Sequence, residues 1–135
     1  MLKSNEPLKV IELINNTRNI DLNNVDLLLI KGISFMRLEK LDDALLNFKK
    51  IISINSNYSD AYFNISAVYK KKNNLHEALK YLDKLTIIDK KNFKAFSNKC
   101  FIKIILRDFE GALTDINIAI KLNDKYLNAY LQRGN

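Results

Sequence analysis

Hydrophobic positions recur along the chain at helical spacing. Leu41, Leu45, Phe48 and Ile51 stand three or four positions apart, so they share one face of a helix. Polar segments rich in Asn, Asp, Lys and Ser separate such stretches, and these residue types cap helices and form turns. The pattern predicts pairs of helices, with first helices near 25–38, 59–72, 93–106 and 127–135 and second helices near 41–54, 75–88 and 109–122.

A constant period of 34 residues relates these pairs. Two columns of small side chains, where a column means positions 34 residues apart, consist of Ala44, Ala78 and Ala112, and of Gly32, Ser66 and Cys100. Helices that cross at about 8–10 Å leave room only for small side chains, so we expect the columns to face each other. The period predicts repeats over 25–58, 59–92 and 93–126, flanked by 1–24, which holds an earlier second helix, and by 127–135, the first helix of an incomplete fourth repeat.

The second repeat shows the pattern most fully, with Tyr62, Ser66, Tyr69, Ala78 and Leu82. This arrangement resembles the tetratricopeptide repeat family, whose 34-residue unit has aromatic, small and central alanine positions in this order. The resemblance implies an all-α fold, a right-handed superhelical solenoid of antiparallel helix pairs. It also implies that first helices line a concave groove and second helices form the convex face.

The chain departs from the family pattern in two ways. The proline that closes a repeat is absent, and Ser56, Lys90 and Asp124 stand there instead, which weakens the predicted helix ends. In the third repeat Lys103 replaces the second aromatic residue. Neither change disturbs the columns of small residues.

The composition supports a helical chain, and its basic residues are concentrated in the middle of the sequence. With three Gly and one Pro, the sequence is unlike a loop-rich β protein or a disordered chain. Its net charge is +7, and residues 49–103 hold twelve Lys against four acidic residues. This charge is compatible with an acidic peptide, a nucleic acid or an anionic membrane as the partner, and by itself it does not choose among them. Nucleic acid is disfavoured because the basic residues are nearly all lysines, spread around the helices without a stacking motif.

No candidate catalytic chemistry emerges from the sequence. His76, the single histidine, is expected on an outer face, and Cys100 lies in a small-residue column as a packing thiol. Phosphate loops, metal-ligand spacings and nucleophile motifs are missing, so we expect no cofactor, no metal and no enzymatic activity. An alternative reading makes the chain a docking domain of a longer enzyme.

The two ends of the sequence suggest a segment of a longer repeat protein. The chain stops inside a predicted first helix, whereas a solenoid normally ends in a polar cap. The exposed apolar surface of that helix predicts weak self-association. The first residues do not read as a secretion signal, and no apolar run approaches about 20 residues, so we expect an intracellular, cytoplasmic protein without a membrane span.

The predicted function is a protein–protein interaction scaffold that binds a peptide or a protein surface in the concave groove. The groove residues expected from the family geometry are Leu29, Ile33, Arg37, Phe63, Asn64, Ala67, Lys71, Lys94, Asn98, Phe101 and Gln132. Side-chain amides suit such a groove because they both donate to and accept from a peptide backbone. The alternative for the apolar members is that they pack as ordinary core.

Some family members bind the C-terminal carboxylate of heat-shock chaperones through a clamp of Lys, Asn and Arg residues on their first helices. By resemblance, Asn64 and Lys94 match that clamp. Leu29 and Ile33 stand where its first Lys and Asn would be, and Asn98 replaces its Arg. Because a carboxylate needs the full charge cluster, a chaperone tail is disfavoured as the ligand.

Overall fold

Every element of the fold is an α-helix in the part of the chain that the structure describes. The computed structural model describes the backbone of residues 6–16 and 23–134 and the side chains of residues 6–15 and 23–124. The helices are α1 (Glu6–Asn16), α2 (Val25–Arg37), α3 (Leu41–Ile54), α4 (Ser59–Lys71), α5 (Leu75–Ile88), α6 (Phe93–Ile105) and α7 (Phe109–Gly134). The predicted all-α class is confirmed, and no helix in these ranges is both long and apolar enough to cross a membrane.

The chain divides into two compact units, and the first is Met1–Asn74. Here α1 packs on α2, α2 on α3, and α3 on α4. Phe48, Ile51, Ile65 and Val68 are fully buried, which places the apolar stripes of α3 and α4 in one core. Removing such stripes from water is the main stabilising contribution to a helix pair.

Gly32 lies at a close approach between α2 and α3. A Cβ atom on Gly32 would stand 2.5 Å from Cε1 of Phe48, nearer than side-chain atoms pack. The small-residue columns are buried throughout, with Ala44, Ala78, Ser66, Cys100 and Ala112 all at most 6% exposed. In the first repeat, the space left by the missing side chain is therefore occupied by an aromatic ring.

All three internal first helices end in the same way. The backbone N–H of Lys40 donates to the carbonyl of Phe35 at 2.9 Å, and the N–H of Asp108 donates to the carbonyl of Lys103 at 2.8 Å. These are the bonds of a Schellman motif, which requires a left-handed residue just after the helix. The left-handed residues are Glu39, Asn73 and Arg107, with φ of 60°, 60° and 66°. Each turn thus forms without the glycine that favours it.

The second unit is Leu75–Asn135, in which α6 packs on both α5 and α7. Ala95 and Ile102 on α6 are fully buried, and Ala112 and Ala119 on α7 are 4% and 3% exposed. The buried face of α7 therefore consists of two alanines with Asp115, 3% exposed, between them. Small side chains there allow α6 to lie close.

The end of α7 differs from the sequence prediction. A break was expected at 123–125, before a separate first helix over 127–135, but one helix runs from Phe109 to Gly134, so the predicted break is wrong. Neither Gly nor Pro stands at this turn, but α3 and α5 also end without them. The difference is tertiary, because a following first helix packs back on α3 and on α5. At the other end, the predicted segment 1–24 contains α1, and its residues 1–5 and 17–22 lie outside the described residues.

Candidate functional site

In the first unit, the expected groove residues lie on the neighbouring helices α2 and α4. On α2, Leu29 and Ile33 are half-buried, and Arg37 is exposed. Ile30, one position after Leu29, is 46% exposed. The outer face of α2 is thus apolar, partly covered and still open to solvent, with a cation at its C-terminal end.

The face of α4 is more polar than that of α2. Phe63, Asn64 and Ala67 are half-buried, and Lys71 is exposed. Nδ2 of Asn64 donates to the carbonyl of Asp60 at 2.8 Å, a bond within the same helix. The side-chain carbonyl oxygen of Asn64 is therefore the atom left to accept from a ligand.

In the second unit, α6 carries the most exposed apolar surface of any first helix. Phe101 is 57% exposed, and Ile104 and Ile105 are 49% and 51% exposed. Lys94 is exposed and Asn98 half-buried on the preceding turns. Phe101 is therefore a surface residue in this unit, which removes the core alternative for that position. Gln132 lies outside the residues whose side chains are described.

A buried ionic network lies beside this face, joining α5, α6 and α7. Nζ of Lys99 is 2.9 Å from Oδ1 of Asp83 and 3.7 Å from Oδ1 of Asp115. Nζ of Lys103 is 2.6 Å from Oδ2 of Asp115. Asp115 is only 3% exposed and Lys99 8%, so these charges are largely removed from water. Mutual neutralisation is what makes their burial tolerable.

One atom of the network lacks a directed hydrogen bond. Oδ2 of Asp115 is buried without a hydrogen-bond partner, although Lys103 is close to it. The separation of 2.6 Å between Nζ of Lys103 and this oxygen makes the contact an ion pair. The cost of burying this oxygen is therefore offset by its attraction to the charge of Lys103 and not by a directed hydrogen bond.

Of this network, only the replacement of an aromatic residue by Lys103 was predicted from the sequence. The signal was present in the columns: 34 residues before Lys99, Lys103 and Asp115 stand Ile65, Tyr69 and Tyr81. Two lysines one helical turn apart and an aspartate on the next helix thus stand in columns that hold one isoleucine and two tyrosines in the second repeat. Such a joint change from apolar to opposite charges indicates a buried pair.

His76 and Cys100 lie where the sequence placed them. His76 is exposed at the start of α5, and Cys100 is 6% exposed in its small-residue column. Within the described side chains, no group of three or more His, Cys, Asp and Glu residues is arranged to hold a metal ion.

A shallow polar depression of about 240 Å³ lies at the turn between α3 and α4 and is lined by Asn55, Asn57, Tyr58, Ser59 and Asp60. Partial burial, and then the carboxylates of Asp26 and Asp60, raise the pKa of Tyr58 above its ordinary value of 10.0. The phenol is therefore held neutral and able to donate a hydrogen bond. The depression is wide open, which makes it a poor enclosure for a small molecule.

The chain is similar to known proteins that contain tetratricopeptide repeats. Residues 59–92 match a tetratricopeptide repeat. The TPR repeat-containing protein MJ1428 of Methanocaldococcus jannaschii is 30% identical over 133 residues, covering 94% of this chain and 22% of that protein. Hsp70-Hsp90 organizing protein 3 of Arabidopsis thaliana is 28% identical over 95 residues, covering 70% of this chain and 17% of that protein. The chain spans about a fifth of the length of these curated relatives.

Solved structures agree on the fold. The crystal structure of MamA matches with a TM-score of 0.85 at 18% identity, over 90% of this chain and 71% of that one. YrrB, described as a TPR protein with an unusual peptide-binding site, matches with a TM-score of 0.68 at 23% identity, over 87% of this chain and 59% of that one. The match at 59–92 and the similarity to MJ1428, with the 34-residue columns and the helix pairs above, support a helical repeat of the tetratricopeptide repeat family, and the solved structures share its fold.

Proposed function

We propose that this chain is a protein-interaction scaffold that binds a peptide or a protein surface on the faces of its first helices. Two similar proteins support the proposal through their names, one an Hsp70-Hsp90 organizing protein and the other a TPR protein with a peptide-binding site. The observation that carries it is the exposed apolar face of α6, where Phe101 is 57% and Ile105 51% exposed. Large apolar side chains in such a patch are typical of binding surfaces.

The chemistry of the α6 face indicates an acidic ligand with apolar side chains. Lys94 and Phe101 are seven residues apart, so they lie on the same side of the helix, about 10 Å apart along its axis. The amide of Asn98 lies between them in sequence and suits hydrogen bonding to a peptide backbone. A peptide with a carboxylate about two helical turns from an aromatic or aliphatic side chain would match both ends.

A chaperone C-terminal tail fits this surface poorly, despite the name of one relative. Leu29 and Ile33 are half-buried apolar residues, so they supply neither the charge nor the amide that a carboxylate clamp needs. We expect no micromolar binding of such a tail in calorimetry, and a measurable affinity would contradict this assignment.

The scaffold proposal is tested with an array of acidic 12-residue peptides that each contain one aromatic or leucine residue. We expect the wild-type chain to retain a subset of these peptides and Phe101→Ala to weaken their binding at least tenfold. The matched control is Ile87→Ala, because Ile87 is 71% exposed but lies on the second helix α5. Equal losses in both variants, no loss in Phe101→Ala, or no retained peptide would each contradict the proposal.

Nucleic-acid binding has weaker support than the charge of the sequence suggests. Among the twelve lysines in 49–103, Lys99 and Lys103 are used in the buried network, and Lys72 pairs with Asp42. These cations are partly neutralised within the chain. A filter-binding titration is the test, since phosphate contacts weaken steeply as salt rises. We expect no such salt-dependent binding.

A further inference from the structure

The buried and exposed sides of α6 are unusual for a surface helix. Such a helix normally turns its apolar stripe inward and its charged residues toward water. On α6, Lys99 is 8% exposed, whereas Phe101 is 57% and Ile105 51% exposed. At about 100° per residue, Lys99 and Lys103 stand on the side of the helix opposite Phe101. Large apolar residues therefore face water while two lysines face the core.

The second repeat shows the ordinary arrangement at the same positions. In the 34-residue columns, the position of Lys99 holds Ile65, which is fully buried. The position of Ile105 holds Lys71, which is exposed. On α4 the isoleucine is inside and the lysine outside, so hydrophobicity is enough to orient the helix. On α6 both are exchanged, and the orientation needs another determinant.

The buried side of α6 is itself a mixture of apolar and charged residues. Phe96 is 9% exposed and Ile102 is fully buried. Around the helix, Lys99 and Lys103 lie between these two side chains. Burial of a charge costs free energy unless the charge is paired. The lysines therefore oppose this orientation unless acidic groups meet them inside.

Acidic groups meet Lys99 from both neighbouring helices. Its Nζ is 2.9 Å from Oδ1 of Asp83 on α5 and 3.7 Å from Oδ1 of Asp115 on α7. The same Nζ donates to Oγ1 of Thr86 on α5 at 3.5 Å. The side chain of Asp83 is 53% exposed, so water solvates it whichever way α6 is turned. Asp115 is 3% exposed and depends on the lysines.

A turn of α6 about its axis would move Lys99 and Lys103 toward water and Phe101 toward the core. The lysines would gain hydration, and the apolar area of Phe101 would be buried. Asp115 would remain inside without a cation, which is the costly arrangement for a buried carboxylate. The penalty against the turned state therefore falls on Asp115.

We propose that Asp115 is a positioning residue for the α6 face: it requires Lys99 and Lys103 inside and thereby keeps Phe101 outside, where a ligand reaches it. Fixing one packing arrangement among several is the best-attested role of a buried polar group. The consequence for binding rests on the function proposed above. The orientation of α6 rests on the network alone.

A tryptophan at position 101 measures this orientation, because the chain contains no other tryptophan. For Phe101→Trp we expect the long-wavelength emission of an exposed indole. Adding Asp115→Leu should shift the emission to shorter wavelength and slow its quenching by acrylamide, because the lysines turn outward and the indole turns inward. Adding Asp83→Leu is the matched control. It should leave the emission unchanged, because Asp115 still holds the lysines.

Unfolding does not imitate the expected shift, since an unfolded chain leaves the indole in water. Circular dichroism verifies that each variant folds, and Asp115→Asn serves as a milder second variant with a smaller shift in the same direction. A folded Asp115→Leu chain with unchanged emission would overturn the proposal. If that chain loses its helical signal, unchanged emission in folded Asp115→Asn would overturn it instead.

Peptide binding is measured in chains that keep Phe101. Asp115→Leu should weaken the binding of the retained peptides at least about tenfold. Combining it with Lys99→Met and Lys103→Met should restore wild-type binding, because a wholly apolar buried side orients α6 without charges. Equal losses in the single and triple variants would contradict the positioning role. A wild-type chain that retains no peptide would contradict the proposed function, while the tryptophan emission would still decide the orientation of α6.

Discussion

Replacing Asp115 by Asn removes one charge from the buried network and leaves the shape of the side chain nearly unchanged. Asp115 is 3% exposed, so its loss leaves Lys103 without the carboxylate 2.6 Å away. Breaking a buried pair by removing one partner costs about 3–5 kcal/mol. We expect the lower end, about 3 kcal/mol, because Lys99 keeps Asp83 at 2.9 Å.

Urea unfolding followed by circular dichroism measures this loss. With a denaturant slope of about 2 kcal/mol/M, the midpoint should fall by roughly 1.5 M. Asp83→Asn is the matched control, because Asp83 pairs with the same lysine but its side chain is 53% exposed. That control should cost less than about 1 kcal/mol.

A triple variant separates the value of the network from the cost of breaking it. Lys99→Met, Lys103→Met and Asp115→Leu together keep the volume and remove every buried charge among these three residues. Replacing a buried ionic group by apolar side chains is often neutral or stabilising by about 1–4 kcal/mol, so the triple variant should be at least as stable as the wild type. Equal small losses in Asp115→Asn and Asp83→Asn, or a triple variant as unstable as the single one, would refute this reasoning.

Three further predictions concern the turns and the first unit. Arg107→Gly should stabilise the chain by about 1 kcal/mol, because φ is 66° there, and a lower melting temperature would contradict the strain. Gly32→Ala should cost about 1–3 kcal/mol through overpacking against Phe48, and adding Phe48→Leu should recover part of that loss in thermal unfolding. Tyr58 should ionise above 10.0 in a tyrosinate absorbance titration compared with Tyr58→Phe, and Asp26→Asn should lower its pKa. Since the folded pKa is the higher one, the stability contributed by Tyr58 is complete below pH 10.0 and is lost as pH rises through the folded pKa.

Much of the candidate ligand face followed from sequence, but not its relative exposure. The 34-residue columns placed Ile33 and Phe101 in equivalent positions, yet Ile33 is half-buried and Phe101 is 57% exposed. Identical helical register therefore gives different accessibility, because coverage depends on which helices lie alongside. The hydrophobic pattern of one helix does not state which other helices will pack against it.

The sequence by itself determined the helices and the pairing of α2 with α3 and of α6 with α7. Apolar spacing, polar turns and the alanine column are local or strictly periodic signals, and the bounds of α2 to α6 agree with prediction to within one residue. Tertiary structure decided the rest. Asp115 joins Lys99 and Lys103 only because α7 packs on α6, so its burial is a property of two helices at once. The continuity of α7 past Asp124 contrasts with the ends of α3 and α5, on which a following first helix packs, and no single helix encodes its own neighbour.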